Sequence, residues 1–438
     1  MLNELRHKIE THTAIVGVVG LGYVGLPFAV EKAKVGFSVI GIEQERIRAQ
    51  KVNRSENYID DVNDDDLRNV VKNCKLQATT DFSVVQELDI IVICVPTPLT
   101  KNLTPNLSYI ENVTHAIAHN LKPGQLISLE STTYPGTTDE VMRPILEEKS
   151  GLKVGKDFFL AHSPERVDPG NQRYTTKNTN KVVGASDSES LSIATLFYQQ
   201  TIDHVVPVSS AKTAELVKVF ENTFRSINIA LVNELAMLCD RMNLNVWEVL
   251  DAANTKPFGI MPFYPGPGVG GHCIPIDPHY LEWKAKELNF NTHFIALAGE
   301  INRKMPEFVQ QKIWRILNRL GLVPSRSKIL ILGVAYKKDL KDWRESPSID
   351  LMRLLSNDSV NVSYHDPYVP EIEILDQSFL SIDLTEATVS SFDLVVISTD
   401  HSTIDYTALV QQANAVLDTR GVTRHLNLDT LANKVTLL

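Results

Sequence analysis

The chain has 438 residues, more than a single hydrophobic core usually organises, so two or three domains are expected. With 43% apolar and 22% charged residues the composition is that of a folded globular protein, which excludes a largely disordered chain. A formal net charge of -10 argues against a nucleic acid partner, although a small anionic ligand needs only a local basic pocket.

Residues 1–13 mix Arg6, His7 and Lys8 with Glu4 and Glu10 and lack the apolar stretch and small-residue cleavage site of a secretion signal. No apolar run approaches the roughly 18–20 residues needed to cross a bilayer, and the longest, near residues 90–95, has strand length. A cytoplasmic protein without membrane association is expected. Cys74, Cys94, Cys239 and Cys273 are far apart with no C-x-x-C pair, and the 12 histidines show no metal-ligand spacing. No disulfide framework and no metal are expected.

In chain order, residues 13–19 form a short buried-strand pattern that runs into Gly20-Leu21-Gly22-Tyr23-Val24-Gly25 and then a helical pattern over 26–35. A second strand, 38–42, ends at Glu43, and further strands are expected at 89–95, 125–130 and 158–162. Helical patterns separate them, which describes a parallel sheet with helices on both faces. Residues 212–242 contain neither Gly nor Pro and carry Val217, Phe220, Phe224, Ile227, Leu231, Leu235 and Leu238 at helical spacing, so one long helix is expected. A loop rich in Pro and Gly over 257–278 interrupts the helical region, which resumes over 280–320; a structureless loop of that length tends to be functional. A second alternating unit begins at 328–332, with strands at 361–364, 394–398 and 415–417. The fold class is therefore α/β: an N-terminal Rossmann-type dinucleotide-binding domain (1–208), a central all-α domain with the long helix (209–322), and a C-terminal Rossmann-like domain (323–438).

Gly20, Gly22 and Gly25 suit a tight turn, close approach to a pyrophosphate, and close helix packing, with the helix N-terminus adding amide donors. The fingerprint alone is weak evidence, but here it follows a strand, opens a helix, and is succeeded by Glu43 at the end of the next strand. A carboxylate there accepts ribose hydroxyls and repels a 2′-phosphate, which favours NAD over NADP, with the nearby Arg46 pulling the other way. The loops 95–98 and 130–136, at the C-terminal ends of later strands, are placed over a cofactor or are simple turns. Lys218 and Asn222 share a helix face, which by spacing alone is usually a solvated stripe. Cys273 lies in Gly266-Pro267-Gly268-Val269-Gly270-Gly271-His272-Cys273-Ile274-Pro275-Ile276-Asp277-Pro278. A lone cysteine is most often a small buried hydrophobe. Among glycines that let backbone approach a ligand, and near a lysine, it becomes a candidate nucleophile.

These segments together resemble the UDP-glucose/GDP-mannose dehydrogenase family, and most of all its UDP-N-acetylglucosamine 6-dehydrogenase branch. Gly22-Tyr23-Val24-Gly25-Leu26-Pro27, Val95-Pro96-Thr97-Pro98, Glu130-Ser131-Thr132-Thr133-Tyr134-Pro135-Gly136, Ser163-Pro164-Glu165-Arg166, the Lys218/Asn222 helix, the Cys273 loop, Tyr336-Lys337-Lys338-Asp339 and Arg344-Glu345-Ser346-Pro347 occur in the family's order over essentially the whole chain. The resemblance implies oxidation of the C6 alcohol of a UDP-sugar to a carboxylate with two NAD⁺, in the supply of surface polysaccharide precursors. It makes Cys273 the nucleophile that carries a thiohemiacetal and then a thioester. Lys218 and Asn222 stabilise the oxyanion, Asp277 and Thr132 hold water, and Glu165 assists hydrolysis.

Cofactor contacts are implied for Gly20, Gly22, Tyr23, Val24, Gly25, Glu43, Arg48, Pro96, Thr97, Thr132 and Lys338. Substrate contacts are implied for Glu165, Arg166, Val167, Lys218, Asn222, Tyr264, Gly270, Arg344 and Arg420, the last two in a C-terminal domain that resembles the family's UDP-binding unit. Members that oxidise UDP-glucose carry a second Glu soon after Pro164-Glu165 and a Lys where Tyr264 stands. Both departures resemble the N-acetylhexosamine branch, with UDP-N-acetylglucosamine expected and the galacto and manno epimers or UDP-glucose as alternatives. The family pattern also implies a homodimer through the central helices. A two-electron hydroxy-acid-type dehydrogenase would not need Cys273 and Asp277, and a non-catalytic nucleotide-binding protein would have lost at least one of the catalytic positions.

Overall fold

The structure is a computed structural model that describes residues 1–100, 102–166, 171, 173–271, 273–375, 377–426 and 432–438. They fall into two compact units, Met1–Glu221 with His279–Phe290, and Asn222–Pro278 with Asn291–Leu438.

The first unit is built on an eight-stranded sheet: β1 (Ile15–Val19), β2 (Ser38–Ile42), β3 (Leu76–Thr79), β4 (Ile90–Ile93), β5 (Leu126–Leu129), β6 (Phe159–His162), β7 (Lys181–Ala185) and β8 (Val205–Pro207), in the order 3-2-1-4-5-6-7-8. β4 and β5 are buried at every residue, as continuous apolar runs must be when helices cover both faces of a sheet. The first six strands are parallel, as expected, and β7, which the sequence reading did not place, runs antiparallel to β6. A parallel return needs a crossover, usually helical, and the described residues between β6 and β7 contain no helix. An unanticipated helix, Leu2–Glu10, packs on this unit through Leu5 and Ile9, one turn apart, and Lys8 donates to Asp89 at 2.8 Å. Its signal is three apolar positions, Leu2, Leu5 and Ile9.

The second unit carries a five-stranded parallel sheet of β9 (Lys328–Leu332), β10 (Asn361–His365), β13 (Leu394–Ile397), β14 (Val416–Asp418) and β15 (Val435–Leu437), in the order 10-9-13-14-15. A separate antiparallel pair, β11 (Glu371–Ile374) with β12 (Gln377–Leu380), has no counterpart in the sequence reading. The helical stretch expected over 280–320 is two helices, Asp277–Glu287 and His293–Arg319; Asn289, at φ 55°, takes the left-handed conformation that ends the first.

The long helix, Ala211–Met242, runs from the first unit into the second. Leu216, Phe220, Phe224, Leu231, Leu238 and Met242 on it are exposed. At about 100° per residue these six fall within an arc of about 80°, and Lys218 and Asn222 lie on roughly the opposite side.

Candidate active site

The three fingerprint glycines have distinct physical reasons to be glycine. Gly20 sits at φ +88°, and a Cβ there would lie 2.5 Å from the carbonyl oxygen of Cys94. A Cβ at Gly25 would lie 1.8 Å from the carbonyl oxygen of Gly20, so helix Gly25–Lys34 could not pack so closely on the turn. A Cβ at Gly22 would meet no protein atom within 4 Å. The open face beside a helix N-terminus fits a pyrophosphate, as the dinucleotide reading requires. Tyr23 is exposed and Val24 half-buried at the same turn. Glu43 does more than the sequence reading asked of it. Its Oε2 accepts the N–H of Leu21 at 2.9 Å and its Oε1 that of Glu45 at 3.0 Å, so it fastens the glycine turn to the end of β2. Each carboxylate oxygen has a further lone pair for a ribose hydroxyl. Arg48 is ion-paired with Glu45 at 3.1 Å, and Arg46 is exposed.

The loops after β4 and β5 are tied together, the Ser131 hydroxyl donating to the Val95 carbonyl at 2.8 Å. The Thr97 carbonyl accepts from the Tyr280 hydroxyl, Pro96 is exposed, and Thr132 is half-buried. Glu215, on the long helix, accepts the N–H of Gly136 at 2.5 Å and of Thr138 at 2.8 Å, together with the Thr138 hydroxyl at 2.6 Å. Burial pushes its carboxyl up to about 7, against the pull of these hydrogen bonds. Lys218, one turn further on, is buried.

Beyond β6, Glu165 accepts the N–H of Arg166 at 2.7 Å, and its other oxygen lies 3.5 Å from Nζ of Lys181. The Arg166 guanidinium donates to the Asn180 carbonyl at 2.7 Å and forms a two-pronged ion pair with Glu221. Val167, expected at the substrate, lies outside the described residues.

In the second unit the Cys273 loop is pinned at both ends to one helix. At its end, the Asn222 amide donates to the Asp277 carboxylate at 2.5 Å, both residues being buried. Near its start, the Gly266 N–H donates to Oδ1 of Asn233 at 3.1 Å, and Asn233 donates in turn to Asn302 at 3.0 Å. The Cys273 carbonyl accepts the N–H groups of Ile276 and Asp277, so the half-buried cysteine sits one turn ahead of helix Asp277–Glu287.

The loop glycines have a packing role beside the expected one of admitting a ligand. A Cβ at Gly268 would lie 2.9 Å from Pro347, one at Gly270 2.7 Å from the Glu345 carbonyl, and one at Gly271 2.9 Å from the Tyr336 ring. Packing of the loop on residues 336–347 requires them. Arg420 donates to Asp400 at 3.3 Å, and its Nη1 would be 2.7 Å from a Cβ at Gly266. Arg344 lies against Asp342 with bonds of 2.9 and 2.7 Å, and Lys338 is exposed after β9. The Tyr264 ring stacks on Trp247 with centroids 5.7 Å apart and lies 4.9 Å from the Arg424 guanidinium, while its hydroxyl donates to Asp251 at 2.8 Å.

Three models of one family match this chain in succession: its NAD binding domain over residues 14–202, its central domain over 212–304 and its UDP binding domain over 330–425. The chain belongs to the UDP-glucose/GDP-mannose dehydrogenase family. A UDP-N-acetyl-D-mannosamine dehydrogenase of Pyrococcus horikoshii is 36% identical over 387 residues, 88% of this chain and 89% of that protein. A UDP-N-acetyl-D-glucosamine 6-dehydrogenase of Pseudomonas aeruginosa is 35% identical over 355 residues, 81% and 83% of the two chains. The solved structure of the UDP-D-ManNAc dehydrogenase from Pyrococcus horikoshii superposes with a TM-score of 0.87 at 32% identity, covering 97% of this chain and 98% of that one. As a member of this family the protein is an NAD-dependent UDP-sugar dehydrogenase, with Rossmann-like N- and C-terminal domains and a helical centre.

Among the described residues no group of three or more His, Cys, Asp or Glu is placed to hold a metal ion, and no helix is long and apolar enough to cross a membrane. The family fingerprint left several site-shaping residues unmarked. Glu215, Asn233 and Lys181 each act through a partner remote in sequence, so no local spacing reveals them. A polar residue on the apolar-patterned helix, as at Glu215 and Asn233, is the one available hint.

Proposed function

We propose that the enzyme oxidises the C6 alcohol of a UDP-N-acetylhexosamine, UDP-N-acetyl-D-glucosamine first among them, to the carboxylate through a thioester on Cys273. The carrying observation is the Cys273 loop, held at both ends by Asn222 and Asn233 of one helix with the Asp277 carboxylate fixed at its close. A nucleophile that must meet an aldehyde in one geometry needs such a support.

NAD, when bound, takes up a hydride in each of the two oxidations. Asp277 and Thr132 hold the water that receives the alcohol proton. The Cys273 sulfur then bonds to the aldehyde carbon, and Lys218 and Asn222 donate to the oxygen on which charge develops. Loss of the second hydride leaves the acyl group on sulfur, and Glu165 takes a proton from the water that removes it. Gly20, Gly22, Tyr23, Val24, Gly25, Glu43, Arg48, Pro96, Thr97 and Lys338 are assigned to the cofactor. Arg166, Val167, Tyr264, Gly270, Arg344 and Arg420 are assigned to the UDP-sugar.

The hexosamine is supported by Tyr264, clustered with Trp247 and Arg424 where UDP-glucose members have a lysine, and by relatives named for N-acetylated sugars. UDP-N-acetyl-D-mannosamine is the second reading, favoured by the relative at 36% identity. We further infer a cytoplasmic homodimer formed through the exposed apolar stripe of the long helix, with domain limits near residues 208 and 322.

A panel of UDP-sugars assayed by NADH absorbance tests the substrate, kcat/KM being the measure of discrimination. Two NADH per UDP-N-acetylglucosamine, at a higher kcat/KM than for UDP-glucose, is expected. A preference for UDP-glucose overturns the hexosamine reading, and a preference for the manno epimer moves it to the second. In Cys273→Ser, turnover should fall by orders of magnitude while NAD and UDP-sugar still bind. Near-parental carboxylate production by that variant overturns the covalent route.

A further inference from the structure

The reversal of β7 has a chemical consequence. In a parallel strand the last residue would reach the edge where β5 and β6 end; in β7 the first residue does, and it is Lys181. The ladder pairs Ala161 with Ala185 and His162 with Gly184. Continued past its end, the same register sets Lys181 opposite Glu165 and Asn180 opposite Arg166. The side chains obey it: Arg166 donates to the Asn180 carbonyl, and the Lys181 ammonium lies 3.5 Å from Glu165.

The same ammonium donates at 2.9 Å to Glu130, the residue that opens the Thr132 loop. The side chains of Lys181 and Glu130 are 5% and 0% exposed, and that of Glu165 is 15% exposed. Burial disfavours a charge on Lys181, but the Glu130 and Glu165 carboxylates outweigh it and raise its pKa. The neighbouring buried amine, Lys32, is pushed well down by its own burial. Lys181 is thus the cation of this core, shared by two carboxylates that would otherwise repel one another. Glu165 is gripped from both sides, one oxygen by the Arg166 N–H and the other by Lys181.

We propose that Lys181 is a positioning residue for the reaction: shared with Glu130, it holds the Glu165 carboxylate where it meets the water that hydrolyses the acyl enzyme. This rests on the reading of Glu165 given above. In the step concerned, the water oxygen bonds to the acyl carbon, a water proton passes to Glu165, and the carbon–sulfur bond breaks with its electron pair on the Cys273 sulfur. Both hydride transfers precede it, so losing Lys181 should spare acyl formation and slow acyl removal.

The test is rapid-mixing NADH production with intact-mass analysis on the full-length enzyme with NAD⁺ and UDP-N-acetylglucosamine. Lys181→Met/Glu130→Gln removes both charges of the buried pair, so neither is left uncompensated. It should keep a burst of about two NADH per subunit. Its steady-state rate should fall at least tenfold and the acyl adduct should accumulate, whereas Lys181→Arg should restore most of the steady-state rate. Lys181→Gln/Glu130→Gln, which keeps a polar pair, replaces the first variant if that one does not fold. Turnover within twofold of the parent without an adduct, or equal loss of burst and steady state, overturns the positioning role. Glu165→Gln is the reference. If it accumulates the acyl enzyme and the Lys181 variant does not, the positioning role alone falls; if it accumulates none, the assignment of Glu165 falls and this proposal with it.

Discussion

Asn222 and Asp277, 55 positions apart, meet amide to carboxylate across 2.5 Å in a buried setting. A carboxylate accepts only, so the Asn222 nitrogen must face it, and the orientation of the whole amide follows. Asn222→Asp changes one donor into a second carboxylate at that distance. It is expected to destabilise the protein by about 3 kcal/mol and to lower kcat at least a hundredfold. Thermal melts and steady-state kinetics check both, and a variant as stable and active as the parent would show that the pair does not fix the Cys273 loop.

Gly22 and Gly25 should respond oppositely to a methyl group. The Gly25→Ala methyl would lie 1.8 Å from the Gly20 carbonyl, which forces the helix off the turn and should cost about 1–3 kcal/mol of stability. Gly22→Ala meets no protein atom, so its melting temperature should match the parent's, while the KM for NAD rises at least tenfold because the methyl occupies the cofactor's side. Unchanged NAD affinity in Gly22→Ala would mean that the pyrophosphate binds elsewhere.

His162, on β6, is held neutral: burial, with a contribution from the Lys181 charge, lowers its pKa from 6.5 to about 3. Between those values the unfolded chain binds a proton that the folded protein refuses. The stabilisation is therefore complete above pH 6.5 and is lost as the pH falls towards 3. From pH 7 to pH 5 this one group should remove about 2 kcal/mol. Denaturant unfolding at both pH values should show that much less acid sensitivity in His162→Gln than in the parent; equal sensitivity would place the protonation elsewhere.

The apolar stripe on the long helix predicts assembly. Phe220 and Leu231 are 61% and 62% exposed, on the side away from Lys218 and Asn222. Phe220→Glu/Leu231→Glu should shift the mass measured by light scattering from two chains to one. A parent that is already monomeric, or a double variant that stays dimeric, removes this helix face as the interface.

The sequence by itself determined the succession of an α/β domain, a helical centre and a second α/β domain, and the family of NAD-dependent UDP-sugar dehydrogenases to which they belong. β2, β9 and the long helix lie within a residue of where alternation and helical spacing put them, because buried strands and a long amphipathic helix impose their period directly on the chain. The glycine turn was legible too, since at Gly20 and Gly25 only glycine satisfies the backbone or the close contacts. Tertiary structure alone decided what those residues lean on. The reversed β7, which carries Lys181 to Glu165, follows a connection whose described residues contain no helix, and it leaves no local pattern. Glu43 bound to the turn, Glu215 at Gly136 and Asn233 at Gly266 are pairings between residues 22 to 79 positions apart. The loop glycines likewise turned out to answer to Tyr336, Glu345 and Pro347. A period in the sequence reports which face of an element is buried; it carries no record of the partner, because a hydrogen bond or ion pair is satisfied by whichever group the fold brings within reach.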